Sequence, residues 1–270
     1  MSSNATPVVL VHGLRVSGAS MHRIAAAITE RPVIHPDLPG HGDRSAETFR
    51  MDDAVDAVLD AITTVGEPAV VAGISLGGYV AMAAAGRHPD SVAGLVTMGS
   101  TAQPSALLAA PFRAFGAATS VLPAQAAAIS RGLTRVALGR QVAQDMEAGG
   151  LALHSIADVV DAIADFDALG ELSAYPGSML FANGGWDQFR IHEKTFAALS
   201  TQAELRIIGR ASHLYPLIQP EMTGAMIGDF ATRIDARLSH TRRLTSSLTH
   251  SSFSAASSHA ASAASLSSMT

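Results

Sequence analysis

Residues 69–78 read Ala69-Val70-Val71-Ala72-Gly73-Ile74-Ser75-Leu76-Gly77-Gly78. The first four are small or β-branched, the pattern of a strand buried on both faces. The next stretch, Leu76 to Arg87, is alanine-rich and is stopped by Pro89, so it reads as a helix. Passing from strand to helix within a G-x-S-x-G segment requires a sharp turn. Such a turn strains the backbone of Ser75 and lifts its hydroxyl above the sheet. The helix N-terminus adds partial positive charge where an oxyanion would form. The string alone is common, and its strand-turn-helix setting is what makes it specific.

Working outward, short apolar runs alternate with helical patterns. Val8–Val11, Pro32–His35, Ala69–Ala72, Val92–Met98, Met179–Phe181 and Leu205–Ile208 read as six strands. Val55, Val58, Leu59 and Ile62 fall at i, i+3, i+4 and i+7, one face of a helix. This alternation predicts an α/β fold: a mostly parallel sheet of about six strands with helices on both faces. It breaks after Ser100. From Pro104 to about Asp165 the chain reads as several short helices, a lid insertion over about 101–170. An insertion there sits above the C-terminal strand ends, where open α/β sheets bind ligands. Residues 1–238 are expected to form one domain. Residues 239–270 are rich in Ser and Ala and hold no acidic residue, so they are expected to be a disordered tail.

Composition narrows the function. The net charge is -5, which argues against nucleic acid as a partner. The chain has no cysteine, so disulfides, thiolate metal sites and a cysteine nucleophile are excluded. No signal peptide is expected, because no basic region precedes the short apolar run Pro7–Val11, and no membrane span is expected, because the apolar stretch Pro104–Ile129 is broken by Pro111, Arg113 and Pro123. A cytoplasmic location is the expectation. No metal-ligand spacing is visible among the histidines, His240, His250 and His259 of the tail included, so no metal and no cofactor are expected.

A serine nucleophile needs a base, and the base needs an orienting acid. His213 follows the last strand run and Asp187 follows the run ending at Phe181. Both then hang from C-terminal strand ends on the rim that carries Ser75. His12, His41, His88, His154 and His192 are poorer bases by position, as Asp165 and Asp167 are poorer acids. Val11-His12-Gly13-Leu14 follows the first strand, so its loop can aim the N–H of Leu14 at the point the Leu76 N–H serves.

His12-Gly13, Asp37-Leu38-Pro39-Gly40-His41-Gly42, the Ser75 turn, Asp187 and Ser212-His213 together resemble the α/β-hydrolase superfamily, over about residues 7–234. The chain is similar to its lid-bearing branch of esterases and perhydrolases. The resemblance implies Ser75, Asp187 and His213 as a catalytic triad and Leu14 and Leu76 as oxyanion donors. It implies a structural role for the Asp37–Gly42 loop. It also implies a sheet without the family's two first edge strands, since the chain starts at the His12-Gly13 strand. Met21 stands where many members carry an aromatic residue, and Ser212 replaces a glycine often found before the histidine. Dehalogenases and epoxide hydrolases of this superfamily carry aspartate where this chain has Ser75, which favours an acyl-enzyme here.

The expected activity is hydrolysis of small-molecule carboxylic esters. Perhydrolysis, acyl transfer, C–C hydrolysis and a non-catalytic receptor are the alternatives. Leu108 and Phe112, in the apolar first half of the insertion, are the expected substrate-binding residues. Arg113 is the only charge there before Arg131, so uncharged acyl groups are expected to be preferred.

Overall fold

A computed structural model describes residues 5–243 apart from positions 67, 122 and 242. Six strands form one parallel sheet: β1 (Val8–Val11), β2 (Val33–Ile34), β3 (Ala69–Ile74), β4 (Val92–Met98), β5 (Ser178–Gly184) and β6 (Ala203–Ile208). Their order is β2-β1-β3-β4-β5-β6, so the chain reverses direction across the sheet between β1 and β3. The helices are α1 (His22–Ala26), α2 (Met51–Val65), α3 (Leu76–Arg87), α4 (Ala106–Val121), α5 (Pro123–Leu138), α6 (Arg140–Glu147), α7 (Ile156–Ala164), α8 (Ala168–Ser173), α9 (Glu193–Ala197) and α10 (Tyr215–Ile218). A last helix, α11, runs from 220 to 241.

Side chains of the central strands alternate between two cores, as the two-residue period of a strand requires. Val9, Val11, Val71, Leu95, Met179 and Phe181 join one core with α2, α3 and α8. Val8, Leu10, Val70, Val96, Leu180 and Ala182 join the other, where Ile227, Phe230 and Ile234 of α11 close the face. α3 is buried from Leu76 to Ala85, because sheet, α2 and α8 all lie against it. Its small side chains allow that close approach. A helix enclosed in this way needs no polar stripe.

Two sequence expectations change. β2 is shortened to Val33–Ile34, since it pairs only with β1 at the sheet edge. The insertion holds fewer and longer helices than expected, and α4 runs straight through Pro111. Proline there forgoes one backbone bond, a loss tolerated because the rest of the helix packs on α7. α11 continues past Leu238 through 239–241. Helix propagation adds one bond per residue, and the serine-rich composition does not prevent it. Residues 244–270, the bulk of the expected tail, lie outside the described residues.

Candidate active site

Ser75 closes β3 and caps α3 with φ 53 and ψ -115, a conformation that side chains rarely adopt. The strain is held from both sides. The Ser75 N–H donates to the Met98 carbonyl at 2.8 Å, and the Ser100 hydroxyl donates to the Ser75 carbonyl at 2.8 Å. Both partners belong to the end of β4, so the turn is clamped to the neighbouring strand.

His213 and Asp187 meet on the same rim. Nδ1 of His213 lies 2.9 Å from Oδ2 of Asp187, whose side chain is fully buried. With Nδ1–H donating to the carboxylate, Nε2 is left as the free lone pair. Oδ1 of Asp187 accepts the Phe189 N–H at 2.8 Å, which fixes the carboxylate at both oxygens. Gly99, at φ 69, leaves room for the imidazole: a methyl group there would lie 2.7 Å from Nδ1 and Cε1 of His213. Ser212 is exposed, so its side chain does not crowd the imidazole.

A cavity opens beside these groups. Ser75, Leu14, Leu76, Gly99, Leu108 and Phe112 all line it, with Phe189 and residues of α7. Its volume is about 640 Å³ with the open mouth included. Among the described residues, no charged side chain lines it. The N–H groups of Leu14 and Leu76 have no hydrogen-bond partner among the described residues. Tyr79 also lines the cavity, but its hydroxyl donates to the Ala102 carbonyl at 2.7 Å, and burial pushes its pKa up. It stays neutral and occupied.

Phe189 went unread in the sequence. Its ring packs edge-on against His213, with centroids 4.7 Å apart, and stacks on Phe112 of α4 at 5.9 Å. It therefore links the insertion to the imidazole. A residue two positions after an aspartate often donates its N–H back to that carboxylate, so part of the role had a local signal. The ring contacts are long-range and had none.

The other histidines are engaged elsewhere. His192 Nδ1 accepts the Gln103 N–H at 2.9 Å, and His154 Nε2 lies 2.9 Å from the Ser45 carbonyl. Asp37 accepts the N–H groups of Gly18 at 2.7 Å and Asp43 at 2.8 Å, which closes the 37–42 loop. His12 is fully buried, with Nδ1 2.9 Å from the Gly13 carbonyl and Nε2 accepting the Leu38 N–H at 3.0 Å. Burial, then the neighbouring His41, push the His12 pKa down from 6.5 to about 4. Burial lowers His41 as well.

The consequence is a stability that depends on pH. Above 6.5 neither the folded nor the unfolded state protonates His12, and the full stability is present. Between 6.5 and about 4 the unfolded chain takes up protons that the folded chain refuses, so stability falls as pH falls. The loss amounts to a few kcal/mol, since each pKa unit is about 1.4 kcal/mol. Urea midpoints measured from pH 7 to 4 are expected to drop. His12→Gln, which can still accept the Leu38 N–H, is expected to drop less steeply. Parallel profiles would show that His12 is not the group responsible.

Over residues 8–224 the chain matches the Alpha/beta hydrolase family. It is 39% identical over 98 residues to Lipase LipV of Mycobacterium tuberculosis, a match covering 36% of this chain and 38% of the lipase. It is 42% identical over 101 residues to a pimeloyl-(acyl-carrier protein) methyl ester esterase of Neisseria meningitidis, covering 36% of this chain and 37% of that enzyme. The matched region is thus little more than a third of the length of either relative. In structure the chain resembles a thermophilic esterase from Thermogutta terrifontis, with TM-score 0.71 at 22% identity over 86% of this chain and 91% of that one. An enol-lactonase from Burkholderia xenovorans superposes with TM-score 0.70 at 20% identity, over 85% of this chain and 92% of that one. At these identities the structural likeness is one of fold. The family match runs from β1 into α11, across most of the chain, and the protein belongs to the alpha/beta hydrolase family.

Proposed function

We propose that the protein is a serine hydrolase that cleaves carboxylic esters with apolar acyl chains through an acyl-enzyme on Ser75. The observation that carries this reading is the buried Asp187–His213 pair at 2.9 Å, packed against Phe189, whose ring lines the same cavity as Ser75. In this reading His213 Nε2 takes the Ser75 proton as Oγ attacks the ester carbonyl. The tetrahedral oxyanion is held by the N–H groups of Leu14 and Leu76, aided by the N-terminus of α3. The C–O bond then breaks, and His213 returns its proton to the leaving alcohol. Water repeats the sequence on the acyl-enzyme, releases the acid and restores Ser75. Asp187 keeps the imidazole in the required tautomer and offsets its charge while it is protonated.

A fluorophosphonate probe tests the nucleophile directly. It is expected to label the peptide carrying Ser75, and turnover of p-nitrophenyl esters is expected to survive EDTA. An unlabelled Ser75 in a protein that still hydrolyses esters would overturn the mechanism. Labelling together with acyl transfer to an added alcohol or peroxide, at a rate above hydrolysis, would place the acceptor elsewhere than water.

The insertion suggests the acyl preference. Leu108 and Phe112 of α4 and Val159, Val160 and Ile163 of α7 roof the cavity. Each methylene buried against them contributes about 0.8 kcal/mol, roughly fourfold in kcat/KM. Activity is expected to rise from acetate through short-to-medium acyl chains and then level off. Phe112→Ala and Leu108→Ala are expected to flatten that rise. An unaltered chain-length profile in both variants would remove the insertion from the acyl pocket.

A further inference from the structure

We propose that Arg15 forms an anion subsite at the far end of the acyl pocket, selecting substrates whose chain ends in a carboxylate or phosphate. The proposal rests on the serine-hydrolase reading and extends it to the substrate's remote end.

Arg15 follows Leu14, the residue at the cavity wall, and is half-buried. Three segments of the insertion surround it. Its guanidinium lies 6.0 Å from the centroid of the Phe115 ring on α4. Nη1 donates to the Ser130 hydroxyl of α5 at 3.2 Å. Its carbonyl accepts the Ala152 N–H at 2.9 Å. Phe115 is one turn along α4 from the cavity-lining Phe112, about 4.5 Å at 1.5 Å per residue. Arg15 and Phe115 lie outside the cavity lining, so the guanidinium stands beside the path of a chain that extends past Phe112 along α4.

Two features of Arg15 are unfavourable, and no carboxylate among the described residues offsets them. Its backbone is left-handed, at φ 70. Its charge is partly removed from water, and burial lowers its pKa. Several arginines at comparable depth meet carboxylates: Arg23 meets Asp145 and Glu221, Arg31 meets Asp235, and Arg190 meets Glu193. Arg15 has no carboxylate within ion-pair distance among the described residues, only a hydroxyl and a ring face. A planar guanidinium with donors to spare is suited to a carboxylate or a phosphate, which it can bind in a bidentate manner.

The sequence alone pointed the other way. Arg113 is the only cation in the first half of the insertion, and it is neutralised by Asp161 at 2.9 Å. The cation that bears on specificity lies outside the insertion, on the loop after β1.

The test compares p-nitrophenyl half-esters of α,ω-dicarboxylic acids with neutral esters of equal chain length, over a series of lengths. A third arm uses ω-phosphorylated acyl esters, so that carboxylate and phosphate are told apart. At one length the anionic ester is expected to show about a tenfold higher kcat/KM, carried by KM, as a charge-assisted bond of 1.5 kcal/mol or more implies. Arg15→Gln is expected to bring the anionic-to-neutral ratio to about one, and Arg15→Lys to keep part of it. Equal loss on both ester types in Arg15→Gln would make Arg15 a structural support of the insertion and overturn the subsite. A second readout needs no turnover. Calorimetric binding of the methyl half-ester to the Ser75→Ala protein is expected to weaken about tenfold when Arg15→Gln is added. Binding that depends on Arg15, with no ester turnover by the wild type, would leave the subsite standing and remove the hydrolase reading. Ester turnover without any anionic preference would do the reverse.

Discussion

Ser75→Ala is expected to lower ester turnover by roughly 10⁴- to 10⁶-fold while leaving the melting temperature within a few degrees of the wild type. The size of the loss follows from what the hydroxyl does in the proposed cycle. Without it no acyl-enzyme forms, and the oxyanion donors alone can only assist direct attack by water. His213→Ala is expected to cost nearly as much, because nucleophile and base act as a unit and removal of one leaves little for the other. Asp187→Asn is expected to be milder. Its carboxylate lies one step from the reacting atoms, and the Phe189 N–H can still be met by the amide oxygen. Asp187→Asn also turns one carboxylate oxygen into a donor, so the imidazole is held less well in the tautomer that leaves Nε2 free. Steady-state kinetics on p-nitrophenyl butyrate, with calorimetry on each variant, separate loss of chemistry from loss of fold. Retention of more than about a tenth of the activity in Ser75→Ala would assign the reaction to another group.

The parts of this protein that were legible in the sequence are those whose signals are local. All six strands were legible, and most plainly β1, β3, β4 and β5, which are covered on both faces and built around apolar runs. The Ser75 turn was visible because glycines, a serine and the start of α3 fall within six residues. Asp187 and His213 were named from their positions after strands, and they stand 2.9 Å apart although 26 residues separate them. The insertion was less legible. Proline at position 111 argued for a break, but the packing of α4 on α7 outweighs one missing hydrogen bond. Phe189 and Arg15 were invisible for another reason. What singles them out is the company they keep: a ring between His213 and Phe112 in one case, a cation among Phe115, Ser130 and residue 152 without a carboxylate in the other. No period or spacing encodes such contacts. The contrast between two arginines makes the point, since Arg113 looked available in the sequence and is paired with Asp161 in space.

Gly77→Ala is expected to be among the most damaging single methyl groups that can be added near the site, alongside Gly73→Ala. A Cβ at position 77 would overlap the carbonyl oxygens of Val11 and His12. Both are backbone atoms at the end of β1, and Val11 is held in register opposite Gly73 of β3. No flexible side chain is available to yield. Either α3 must lift from the sheet or β1 must part from β3, and both movements open a core that is buried on all sides. Overpacking of this kind costs about 1–3 kcal/mol where side chains adjust, and more where only backbone can move. A loss of about 4 kcal/mol in a domain of this size lowers Tm by roughly 10 °C or more. The same contact has a chemical side. Close passage of α3 against the end of β1 is what brings the loop of Leu14 beside the Leu76 N–H, so any Gly77→Ala protein that does fold is expected to react slowly with the fluorophosphonate probe. Gly228→Ala is the matched control, because a Cβ there meets nothing within 4 Å and the residue lies within α11. Alanine is the better helix former by about 0.8–1 kcal/mol, so Tm is expected to stay level or rise slightly. Equal melting temperatures for Gly77→Ala and the wild type would show that α3 can move away from β1 without loss. The close approach of helix to strand would then not be what holds the Ser75 turn in place.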